Sequence, residues 1–148
     1  MSQWTDGIAE QRKQKADEQR IQNERSNVEA ALLDNGFSYL WSELKKVVPA
    51  KCLEVNSSKS IGIQLNPVDD GDELSIVCQD NGVAVKFVRD QRIRAVDISG
   101  ADVMSGIYIQ HIRVRLNGNN FYFADSENGQ NVQASKIVEK AIEFLLSA

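Results

Sequence analysis

The stretch YIQHIRVRLNGNNFYF, residues 108–123, decides how the second half of the chain is read. Ile112, Val114 and Leu116 fall on one parity, while His111, Arg113 and Arg115 fall on the other. A period of two is the signature of a strand with one buried and one wet face. Asn117-Gly118 suits the left-handed backbone of a tight hairpin, and Phe121, Tyr122 and Phe123 follow it. The reading is two antiparallel strands, over 107–116 and 119–125, joined by a short turn.

The same period extends upstream. Strands are expected over 51–56, 60–66, 73–79, 83–89 and 92–98. Asp80-Asn81-Gly82 and Asp90-Gln91 are short turn signals, so the strands flanking them should be antiparallel. Segments 68–73 (VDDGDE) and 99–106 (SGADVMSG) read as longer loops. Downstream, Ala134, Ile137, Val138, Ala141, Ile142 and Leu145 mark one face of a helix, with Asn131 as its cap.

The N-terminal part has another character. Residues 8–33 are rich in Glu, Gln, Lys, Arg and Ala, without Pro or Gly, and predict a helix. From Ala9 to Asn27 it is polar nearly all round, so it buries little and reads as an exposed arm. Trp4 precedes this helix and is expected exposed or disordered. Asn35-Gly36 reads as a helix stop. A second helix then carries Phe37, Leu40, Trp41, Leu44, Val47 and Val48 as an apolar stripe, and Pro49 closes it.

Helices first, a run of strands, then one helix is an α+β pattern: an antiparallel β-meander of six to seven strands, with N-terminal helices and a C-terminal amphipathic helix packed on it. The element count also matches a pleckstrin-homology-like barrel with its C-terminal helix, an alternative that no family motif carries. Residues 1–30 form the exposed polar helical arm, and residues 31–148 one globular α+β domain.

The totals fit a soluble globular chain. Its 148 residues are 42% hydrophobic and 26% charged, with a net charge of −4 that argues against coating nucleic acid. The start shows no apolar stretch of signal-peptide type, and no run is long enough to span a bilayer, so no membrane insertion is expected. Cys52 and Cys78 lack metal-ligand spacing and read as buried free thiols of a reducing compartment, so a cytoplasmic setting is the default expectation.

Candidate site residues come from the wet parity of the strands. Lys86, Arg92, Arg94, Arg113 and Arg115 alternate with apolar neighbours, and Tyr122 stands among them. Residues 83–123 hold 6 Lys/Arg against 3 Asp within an acidic protein. Such residues are ordinary occupants of a solvated sheet face. Arginine also presents paired donors to carboxylates, so the same face is a candidate surface for an anionic partner. Val96 and Ile98 share the parity of Arg92 and Arg94, which requires either an apolar turn of the face or a bulge. Single-stranded nucleic acid would want several stacking aromatics there, and Tyr122 alone qualifies.

No other chemistry emerges. His111 stands alone, and Asp69, Asp70, Asp72 and Glu73 break the ligand order of a calcium loop. No nucleophile elbow, phosphate-binding loop or metal motif is present, so neither enzyme activity, metal nor cofactor is expected. Two functional readings follow. The first is a non-enzymatic protein–protein interaction or assembly module, whose N-terminal helix engages a protein partner or a second copy in a homodimer. The second is a carrier of a small apolar ligand, held between sheet and helices against Phe87, Phe121 and Phe123.

Overall fold

One helix, α1, runs from Gln3 to Asn56 in the computed structural model, which describes residues 3–148. It replaces the two expected helices and also the strand expected over 51–56. Neither stop signal ends it. Gly36 lies buried within the helix, and Pro49 sits on its exposed side, where water can satisfy the Lys45 carbonyl that loses its donor. The apolar stripe Phe37, Leu40, Trp41, Leu44 and Val48 simply continues to Cys52, and all six are buried. Residues 3–29 are exposed throughout, Trp4 among them at 74%.

Six strands follow: β1 (Leu65–Asp69), β2 (Glu73–Cys78), β3 (Ala84–Asp90), β4 (Ala95–Asp102), β5 (Gly106–Asn117) and β6 (Asn120–Asp125). Their order in the sheet is their order in the chain, and every neighbouring pair is antiparallel. β1 and β6 lie at opposite edges, so the sheet is open and not a barrel. The last element is α2 (Ala134–Ser147).

Several boundaries differ from expectation. The strand read over 60–66 begins at Leu65 and runs to Asp69. The strand read over 92–98 begins at Ala95 and extends through Asp102, into the segment read as a loop. The reason is Arg94, whose φ of 51° puts a left-handed residue in the turn before it. This resets the parity: Val96 and Ile98 face the core without conflict. Asn131 does not cap α2. It bridges to Ala124, and Gln133 is the N-cap, without a side-chain capping bond.

Both helices cover one face of the sheet. The core joins the α1 stripe to Leu74, Ile76, Val85, Phe87, Ile98, Ile112 and Val114 from the strands. From α2 come Ala134, Ile137, Val138, Ala141, Ile142 and Leu145, the residues its period selects. The burial of roughly two dozen such side chains, each stabilising by about 1.5–3 kcal/mol when fully buried, supplies the main driving force.

Candidate functional site

The opposite face of the sheet carries no helix. Its cross-strand rows follow from the register. One row runs Ser75, Lys86, Ser99, Ile109 and the next runs Glu73, Val88, Asp97, His111. A third holds Asp90, Ala95, Arg113 and Ala124, and a fourth pairs Arg115 with Tyr122.

The candidate residues therefore separate into three groups. Arg113, Arg115 and Tyr122 share one corner, beside edge strand β6. Both arginines are exposed, and among the described residues no carboxylate stands within ion-pairing distance of either. Lys86 is on the same face but two rows away, with its Nζ 3.7 Å from Glu73. Between them lies His111, whose Nδ1 is 2.5 Å from Asp97 Oδ1. Arg92 and Arg94 do not alternate along a strand, because residues 91–94 are turn. Arg92 sits 3.6 Å from Asp90, and Arg94 donates from Nε to Asp34 of α1 at 2.6 Å. Arg94 thus ties the turn to the helix instead of joining the open face.

A groove of about 450 Å³ runs along β6 on the helix side. Tyr39, Val47, Phe121, Phe123 and Val132 form its apolar walls, and Glu43 stands on α1. Tyr39 stacks on Phe123 with ring centroids 6.1 Å apart and lies 5.9 Å from Phe121. Phe87, grouped with these aromatics by the sequence, is instead fully buried in the core.

Three features escaped the sequence. Gln110 is buried on the helix side, accepting from Tyr108 Oη at 2.8 Å and donating to Asp125 at 2.9 Å. Its parity with Ile112 was the available signal. Burial, with Asp125 and Glu143 nearby, pushes the Tyr108 hydroxyl up to about 12. Arg89 also points to the helix side, its guanidinium carbon 5.3 Å from the Phe37 ring and 5.7 Å from Trp41. Third, Val103, Met104, Ile107 and Ile109 leave an exposed apolar corner at the β4–β5 turn.

The acidic loop after β1 is structural. Trp41 Nε1–H donates to the Gly71 carbonyl at 3.1 Å, and Asp69 accepts from the Gly71 amide at 2.8 Å. Among the described residues no group of three His, Cys, Asp or Glu side chains could hold a metal ion, and no helix is long and apolar enough to cross a membrane. Comparison with known proteins finds no matching family model, no matching curated protein and no matching solved structure.

Proposed function

We propose that this chain is a non-enzymatic protein–protein interaction module, in which the α1 arm binds a second helix and the Arg113–Arg115 corner receives an anionic protein partner. The observation that carries the reading is the arm itself. Helices in water owe most of their stability to packing, yet residues 3–29 are exposed along their whole length. Along that arm and just beyond it, Trp4, Ile21, Val28 and Leu32 recur at coiled-coil spacing, a sparse seam suited to a helical mate. Ile21 and Val28 are 46% and 59% exposed, and with Leu32 they border a recess whose other wall is the Gly118–Asn119 turn.

The free thiols Cys52 and Cys78 suit a reducing, cytoplasmic setting, and the net charge of −4 weighs against nucleic acid as the partner. The carrier reading rests on the groove beside β6, whose volume is in the range of small-ligand sites, about 300–1,000 Å³. It accounts for neither the arm nor the unpaired arginines.

Sedimentation of the full chain tests the arm. Self-association that is lost on Ile21→Lys with Val28→Lys supports a second copy as the mate. A chain that stays monomeric at high concentration, and whose arm-deleted form recovers the same protein partners at the same salt dependence, overturns the reading.

A further inference from the structure

The two edges of the sheet are not alike. β1 carries Pro67 at its centre, which has no N–H to offer a further strand. β6 has no proline and no charge between Asn120 and Ala124. The Val132 N–H donates to the Phe123 carbonyl, and the Asp125 N–H to the Gln130 carbonyl, so the odd positions of β6 aim their backbone away from β5. The 130–132 segment covers that edge at Phe123 and Asp125 and then departs. One step back, the N–H and C=O of Phe121 face outward, since β6 otherwise pairs with β5 alone. An unpaired edge position of this kind can receive the backbone of a strand from elsewhere.

What lies on the two sides of that edge selects the strand. On the helix side is the aromatic groove of Tyr39, Phe121, Phe123 and Val132. Glu43 in the same groove disfavours a carboxylate there. On the open side stand the unpaired Arg113 and Arg115. Arg113 is opposite Ala124, which is fully buried and bridged to Asn131, so the uncovered part of the edge lies beside Phe121 and Tyr122, with Arg115 opposite Tyr122. An added strand would sit about 9–10 Å from β5, two strand spacings, within reach of the long arginine side chains. Successive residues of that strand meet the groove and the arginines in turn.

We infer that β6 is a docking edge for an extended segment of another protein in which apolar residues alternate with acidic ones, the apolar side chains entering the Tyr39–Phe121–Phe123 groove beside Phe121 and a carboxylate meeting Arg115, with Arg113 one row further along the same face. A second copy of β6 does not fit, because pairing it would set the arginines of the two copies along one face. The inference rests on the reading of this chain as a module for an anionic partner, and it names how that partner is held.

The test is an NMR titration of the full chain with an alternating valine–glutamate peptide of about eight residues. Binding should shift the Phe121 and Phe123 amides. Methylating one peptide backbone nitrogen that faces Phe121 removes a ladder bond without touching the protein and should raise Kd about tenfold. Arg113→Gln with Arg115→Gln should raise Kd similarly and flatten its salt dependence. No shift at millimolar peptide overturns the inference, as does binding indifferent to the methylation. If methylation has no effect while the arginine changes do, strand addition is wrong and the anionic reading stands. If a valine–lysine peptide binds as well as the glutamate one, both fail.

Discussion

Gly36 of α1 lies so close to Phe121 of β6 that a methyl group on its Cα would stand 2.8 Å from the Phe121 Cγ and 2.8 Å from the Val114 Cγ1. Glycine is there to let helix and sheet touch. Gly36→Ala improves helix propensity by about 1 kcal/mol, yet it forces two ring or branched side chains to move, and such overpacking costs typically about 1–3 kcal/mol. The expected outcome is a net loss of stability, read as a lower urea midpoint. A gain would mean that Phe121 swings aside freely, and with it one wall of the groove.

Trp41→Ala should destabilise by about 3–5 kcal/mol, the usual result of deleting a large buried aromatic. The ring is 3% exposed, carries the Arg89 guanidinium over it and holds the Gly71 carbonyl. Trp41→Phe isolates the hydrogen bond, with a loss of about 1 kcal/mol expected beyond repacking. Denaturant titration measures both, and a loss below about 1 kcal/mol for Trp41→Ala would contradict the burial.

Arg113→Gln with Arg115→Gln should leave stability nearly unchanged. Both side chains are exposed and neither is ion-paired, so each contributes within the range of about 0–1 kcal/mol typical of surface charges. Urea titration at low salt decides, and a loss of several kcal/mol would show that they are held by buried partners instead.

Deleting residues 1–27 should shift the melting temperature by less than about 5 °C, because the stretch removed buries almost nothing. Residues 1–2 lie outside the described residues, and every residue from 3 to 27 is exposed. Circular dichroism should show the loss of helical signal with the cooperative transition intact. A truncated chain that melts without cooperativity would place part of the arm in the fold.

Stability should fall in alkali. Burial pushes the Cys52 thiol up from 9.0 to about 11, so above pH 9 the unfolded chain releases a proton that the folded chain keeps. Stability is therefore complete below pH 9 and declines up to about pH 11, by at most about 1.4 kcal/mol per pH unit. Tyr108, raised from 10.0 to about 12, adds a second decline of the same sign at higher pH. Urea midpoints for Cys52→Ala should stay flat until Tyr108 takes effect. Superimposable pH curves for the variant and the parent would remove Cys52 as the cause.

Period was legible where it was clean. The β5–β6 hairpin and the buried face of α2 follow from alternation and from apolar spacing, because each element has one wet and one dry side. Punctuation was less reliable. Asn35-Gly36 and Pro49 resemble helix ends, but tertiary contact uses the glycine for close approach, and solvent tolerates the proline. Residues 51–56 looked like a strand since a short segment with Cys52 and Val55 fits either period, and only the preceding stripe assigns it to the helix. For the site, Arg113 and Arg115 were readable from parity. Arg92 and Arg94 were not, because a left-handed backbone at Arg94 breaks the alternation, and no single-residue propensity announces an arginine there.

The unbroken course of α1 couples distance to bearing. At about 1.5 Å per residue, the exposed span 3–29 is about 40 Å long, and its tip lies well past the β5–β6 turn that it borders at Ile21 and Val28. Each residue added to or taken from that span would also swing the tip by about 100°. A change of one residue therefore turns Trp4 away from whatever it faced, while a change of seven nearly restores the heading at about 10 Å greater or lesser reach. Under the partner-binding role proposed above, gearing of this kind should make the arm tolerant of substitution along its polar sides and intolerant of insertion, because its phase relative to the arginine corner is set by residue count.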